Sequence, residues 1–161
     1  MPWGAETFDW SDTLTVPVSK RSESTMEFIA NAEKLSAKVF RFSVRLPKRY
    51  TYKLGNPLFD HAEEVVFHCR AANIVYVNSD ATFDRRRGHL VEAESHLLHV
   101  ETLLGILHRV TLQLSDAGES KPPNPNVYGE FAALIEKERK LISGCKTRDT
   151  QAYKKMQQDM S

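Results

Sequence analysis

The chain has 161 residues, with 22 Lys and Arg against 21 Asp and Glu and a net charge of +1. That length points to one domain with a core large enough to need no staples, and the 41% hydrophobic content excludes a chain that is disordered throughout. A near-neutral total does not suggest a nucleic-acid binder, so any such role must lie in where the charges are placed.

The chain opens with a polar stretch, residues 1–23, in which Trp3, Phe8 and Trp10 are the large apolar groups and Glu6, Asp9 and Asp12 the charges up to residue 15. It has no basic start followed by an apolar run, so no signal or transit peptide is expected. No apolar run in the chain approaches the roughly 20 residues that span a bilayer. The expectation is a cytoplasmic protein with no membrane partner.

Ser24 or Thr25 can cap a first helix, with Glu27 in its first turn. Phe28, Ala32, Leu35, Val39, Phe42 and Leu46 are spaced 4, 3, 4, 3, 4, which is one face of an α-helix ending at Pro47. A second row follows the same rhythm: Lys34, Lys38, Arg41, Arg45 and Lys48. From Lys34 to Lys53 there are seven basic residues, Arg49 and Lys53 included, and no acid. One helix thus carries a core seam and, roughly 100° around its axis, a ridge of positive charge. Such a ridge invites a polyanion. The competing reading is that the cations flank the seam with their heads in water, or pair with Asp60, Glu63 and Glu64 of the next helix.

Lys48–Asn56 reads as a loop, with Gly55 and Asn56 as turn residues. Pro57 suits the first turn of a second helix, whose row is Leu58, Ala62, Val65, Cys69, Ala72 and Tyr76 and whose end falls near Asn78. A link over Ser79–Thr82 leads to a long third helix with Leu90, Ala93, Leu97, Val100, Leu104, Leu107 and Leu114 on one face. Gly88 and Gly105 interrupt it at a cost of about 1 kcal/mol each and offer places for close helix contact. Arg85, Arg86 and Arg87 lie near its start, where cations oppose the helix dipole and, with free N–H groups, suit a phosphate. Neutralisation by Asp80, Asp84 or a chain neighbour is the alternative. Ser115–Asn126, with Gly118 and three prolines, is a loop. A fourth helix begins near Asn126 with Val127, Phe131, Leu134, Leu141 and Cys145, and the polar residues 147–161 read as a fraying tail. No useful stretch alternates with period two. The predicted fold is all-α, an antiparallel up-and-down four-helix bundle over residues 24–146.

Cys69 and Cys145 fall on or near apolar rows and read as reduced core thiols. Bundle di-metal sites place Glu three residues before His. None of His61, His68, His89, His96, His99 and His108 has Glu at that position. His96 and His99 are spaced i, i+3 with His89 two turns earlier, and two or three imidazoles could bind a stray transition metal, but no carboxylate completes an obvious site, so no metal site, cofactor or catalytic residue is expected. No nucleophile elbow, Walker loop or dinucleotide turn occurs, and the chain reads as a non-enzyme.

The blocks SKRSESTMEFI (Ser19–Ile29), LPKRYTYKLGNPL (Leu46–Leu58), RAAN (Arg70–Asn73) and RRRGHLVEA (Arg85–Ala93) occur in this order. Together they resemble the accessory variability determinant family, the four-helix-bundle accessory proteins of diversity-generating retroelements, and the related bundle proteins of 23S rRNA intervening sequences. The resemblance covers about residues 16–150. It implies a homopentameric, non-enzymatic subunit that works with a reverse transcriptase and with RNA, and possibly DNA, during mutagenic copying of template RNA. On this chain it implies a nucleic-acid surface at Lys38, Arg41, Arg45, Lys48, Arg49, Arg85, Arg86 and Arg87, to which the helical ridge itself adds Lys34, with Tyr50 and Asn73 in structural roles. The alternative is a protein-interaction four-helix bundle with no nucleic-acid role.

Overall fold

A computed structural model describes residues 23–161. The polar segment over residues 1–22 and the cap side chains expected at Ser24 and Thr25 lie outside the described residues. Those described are helical, with no strand: α1 (Glu23–Ser43), α2 (Lys48–Tyr50), a π-helical segment (Thr51–Gly55), α3 (Asn56–Asn73), α4 (Asp80–Asp116) and α5 (Pro125–Asp159). The four long helices form a helical bundle. No described helix is long and apolar enough to cross a membrane.

The seam of α1 packs as its spacing predicts. Phe28, Ala32, Leu35 and Val39 are buried, and they join Leu58, Ala62, Val65, Cys69 and Ala72 of α3 with Leu90, Ala93, Leu97 and Val100 of α4. α5 completes this core with Phe131, Ile135, Ile142 and Cys145. The fully buried row of α5 runs 131, 135, 138, 142, 145, and its middle member is an acid, Glu138. Ile135 and Ile142, rather than Leu134 and Leu141, are the buried aliphatics of this helix.

Four boundaries differ from the sequence expectation. α1 ends at Ser43, not Leu46. The chain then tightens through Arg45 N–H to Phe42 O at 3.2 Å and Leu46 N–H to Ser43 O at 3.2 Å, because Pro47 excludes the helical conformation at the residue before it. The expected loop Lys48–Asn56 is instead helical. Pro47, extended at φ −52° and ψ 142°, starts a new turn, and Gly55 stays helical at φ −64° and ψ −48°. Gly55 is buried against the end of α1, where a Cβ would lie 3.5 Å from Leu46 Cδ1 and 3.6 Å from Ser43 Cβ. Gly88 and Gly105, by contrast, have open space around them among the described residues and mediate no close contact with another described helix.

α3 stops at Asn73. Tyr76 leaves the expected row and is exposed, while Val75 stays buried. The Arg86 guanidinium donates to the carbonyls of Ala72 at 2.8 Å and Val75 at 3.3 Å, and so supplies donors at the helix end where carbonyls lack partners. α4 begins at Asp80 with Ser79 as its cap. Ser79 Oγ accepts from Thr82 N–H at 3.2 Å while Ser79 N–H donates to Thr82 Oγ1 at 2.9 Å, a reciprocal capping box. Gly118, at φ 77°, reverses the chain after α4.

α5 does not fray after Cys145 but continues to Asp159. Polar contacts with the start of α4 hold this extension: Asp149 with Arg86 at 2.6 Å, Tyr153 with Asp80, and the Tyr153 ring stacked on Phe83 with centroids 4.3 Å apart. The polar tail expected over residues 147–161 is therefore polar and mostly exposed, but helical through Asp159.

Candidate functional site

The expected ridge is shared by α1, which carries Lys34, Lys38 and Arg41, the turn after it with Arg45, and α2 with Lys48, and it borders a groove of about 820 Å³ between α1 and α5. Lys34, Lys38, Arg41 and Arg45 supply its basic side, while Phe42, Phe131 and Leu134 contribute apolar lining and Glu130 an acid. The spacing that sets the seam inward turns these cations toward the α1–α5 boundary. Lys34, Arg41, Arg45 and Lys48 are exposed and have no ion-pair partner among the described residues. Acids of α3 do not neutralise the ridge. Glu64 approaches His68, and Asp60 and Glu63 form no ion pair among the described residues.

Lys38 differs from its neighbours. Its ammonium pairs with Glu130 and lies 5.3 Å from the centre of the Phe131 ring. The Glu130 side chain is 62% exposed, so this surface pair contributes about 0–1 kcal/mol and leaves Lys38 easily released to another anion. Arg49 sits over Tyr50 at 5.1 Å and donates to Glu119 O at 3.3 Å. It rims a neighbouring cavity of about 410 Å³ that also takes in Phe42, Tyr50 and Tyr128. Tyr50 is buried, as its structural reading requires, and its hydroxyl has no hydrogen-bond partner among the described residues. Burial pushes the Tyr128 phenol up to about 12.

The three arginines at the start of α4 do not act as one cluster. Arg85 is exposed and unpaired among the described residues. Arg86 is turned inward onto Asp149 and the end of α3. Arg87 donates to Lys146 O at 2.8 Å and to Thr150 Oγ1, and its guanidinium lies 5.3 Å from the Phe83 ring centre. Of the three-arginine phosphate site read from the sequence, Arg85 alone is free to meet a ligand, because the other two tie α4 to α3 and α5. Asp149, not Asp80 or Asp84, is the acid that pairs with Arg86.

Two polar sites escape the sequence reading. The first is Glu138, whose side chain is wholly buried. Asn31 Nδ2 donates to Glu138 Oε2 at 2.9 Å and to Leu134 O at 3.1 Å, while Cys69 Sγ donates to Glu138 Oε1 at 3.5 Å. Burial raises the Glu138 carboxyl to about 7 despite these donors. Burial, reinforced by Glu138, pushes the Cys69 thiol up, as an inert core thiol requires. Asn31 thus serves the bundle interior. Its signal was available, since Asn31 lies next to seam residue Ala32.

The second is a histidine ladder between α3 and α4. His61 Nδ1 lies 3.0 Å from His96 Nδ1, and His68 Nδ1 lies 3.1 Å from His89 Nδ1. The His61 and His99 rings stack at 3.7 Å, and the His68 and His96 rings lie nearly parallel at 5.5 Å. Burial, and then the neighbouring imidazoles, lower the affinity of His61 and His68 for a second proton. Glu64 and Glu92 stand four residues before His68 and His96. A search for Glu three residues before His passes over that spacing, yet four residues is also one helical turn.

No family model matches the chain, and no match was found among the curated proteins or the solved structures.

Proposed function

We propose that the chain is a non-enzymatic scaffold that binds a polyanion along the α1–α5 groove. The observation that carries this reading is the set of exposed, unpaired cations Lys34, Arg41, Arg45 and Lys48, joined by the weakly held Lys38. Phosphate contacts of this kind are electrostatic and largely indifferent to sequence. Arg85 extends the surface, whereas Arg49, Arg86 and Arg87 act mainly within the fold. The finer reading is an accessory subunit of a diversity-generating retroelement that holds a reverse transcriptase on its template RNA in the cytoplasm. It is supported by the ordered sequence blocks that resemble the accessory variability determinant family.

The architecture that goes with this function is an antiparallel up-and-down bundle. Its support is the order of the pairs: Lys38 with Glu130, Asn31 with Glu138 and Glu27 with Lys137 between α1 and α5, and His61 with His96 and His68 with His89 between α3 and α4. Homo-oligomerisation, as a pentamer by resemblance, is supported by exposed Val91, Leu98, Ile106 and Leu112 on α4.

A second reading, a protein-interaction bundle, is favoured by the apolar lining of the groove, which suits an acidic amphipathic segment. Gel shifts with random single-stranded RNA and with DNA at moderate salt separate the two. Retarded nucleic acid supports the polyanion reading. Unshifted probes at protein concentrations above about 100 μM, beyond ordinary non-specific affinity, overturn it.

A further inference from the structure

We propose that the Glu64–His68 and Glu92–His96 pairs form a binding site for a divalent first-row transition-metal ion, of which Zn²⁺ is the representative, clamping α3 to α4. One ligand atom from each of Glu64, His68 and His96 lies within 4.8 Å of the others. His68 Nε2 is 3.5 Å from Glu64 Oε2, and His96 Nε2 is 3.9 Å from Glu92 Oε2. Ligand atoms around a tetrahedral zinc ion, with bonds of about 2.0–2.1 Å, stand about 3.3 Å apart. The Glu64–His68 pair is therefore close to coordination spacing, and Glu92, which lies outside the group of three, would close on His96 by roughly half an ångström. The Glu64 and Glu92 side chains are 48% and 58% exposed and free to swing onto an ion arriving from solvent.

The imidazoles are oriented for this task. His68 and His96 direct Nδ1 toward a second imidazole, His89 and His61 respectively. When Nδ1–H donates there, the lone pair is on Nε2, the nitrogen that faces the carboxylate. A ligating histidine characteristically gives its other ring N–H to a neighbouring group in this way, which fixes ring and tautomer. Two imidazoles with two carboxylates suit zinc, copper, nickel or iron, and suit magnesium or calcium poorly. Each helix supplies one Glu–His pair at i, i+4, so the ion bridges two elements otherwise held here by imidazole stacking.

The full chain, stripped with chelator and titrated with ZnCl₂ by calorimetry, tests the site. One Zn²⁺ per chain is expected. His68→Ala and His96→Ala should each weaken binding at least tenfold, Glu64→Gln and Glu92→Gln should weaken it severalfold, and His108→Ala, on the same helix but outside the ladder, should leave it unchanged. Because the ladder also packs, loading the unmodified chain with Co²⁺ gives a readout that needs no variant. An intensified visible ligand-field spectrum, displaced by Zn²⁺, is expected. A Co²⁺ spectrum identical to that of the aquo ion, substoichiometric binding, or equal weakening by His108→Ala overturns the proposal.

Discussion

Asn31 of α1 donates its side-chain N–H to Glu138 of α5 at 2.9 Å in the middle of the bundle core. The carboxyl is wholly buried, has no ion-pair partner among the described residues and is held up at about 7 by desolvation. A neutral acid can receive this hydrogen bond and still have a proton to share, whereas a buried carboxylate lacking a counter-ion is costly.

The consequence is a defined pH dependence. In the unfolded chain Glu138 ionises near the usual carboxylate value of 4.5, and in the fold near 7. Below 4.5 both states are protonated and this group takes nothing from stability. As pH rises to 7 the unfolded state loses its proton first, so stability falls, by about 3 kcal/mol in all. Glu138→Gln keeps an acceptor for Asn31 and removes the titration. Urea unfolding from pH 5 to 8 should show the variant gaining on the parent with rising pH, and a constant difference between them would contradict the assignment. Taking that difference cancels every group that the two chains share.

Arg86 and Arg85 should behave oppositely despite being adjacent. Arg86→Ala strips a partner from Asp149, whose side chain is 12% exposed, and removes the donor to Ala72 O and Val75 O. A loss of about 3–5 kcal/mol is expected, the range for breaking a buried pair. Arg85→Ala should change stability by less than about 0.5 kcal/mol. Denaturant melts of the two variants check this, and equal effects would contradict it.

The capping box at the start of α4 predicts a smaller effect. Ser79→Ala removes the acceptor for Thr82 N–H and should cost about 1 kcal/mol. Thermal unfolding of the variant measures it, and an unchanged midpoint would show that the cap contributes nothing.

The exposed apolar residues of α4 predict self-association. Leu98 is 59% exposed, so Leu98→Glu should leave the monomer folded while reducing the mass measured by light scattering. A monomeric parent would contradict the oligomer reading.

Much of the core was legible in the sequence because Phe28, Ala32, Leu35 and Val39 repeat with helical spacing and α3 and α4 do the same. Glu138 hid within an equally regular row because an acid interrupts the hydrophobic pattern, and the seam of α5 was therefore placed on Leu134 and Leu141. The last turns of α5 carried only a thin apolar signal, Tyr153, Met156 and Met160, among polar residues. Asp149, Thr150 and Tyr153 hold them through side chains of α4, and such contacts leave no periodicity. The cations of α1 were legible as a ridge. The inward commitment of Arg86 and Arg87 was not, since it depends on where α3 ends and on how far α5 runs.

The most direct test of the polyanion groove is the salt dependence of single-stranded RNA affinity for the parent chain and for Arg41→Glu with Arg45→Glu, followed by fluorescence anisotropy. Both residues are exposed, so folding should survive, as circular dichroism would verify. The account predicts weaker binding and a slope of log K against log salt reduced by at least about 1.4, that is about 0.7 for each phosphate the double variant no longer neutralises. Unchanged affinity and slope in a folded double variant would place the nucleic acid elsewhere, or nowhere on this protein.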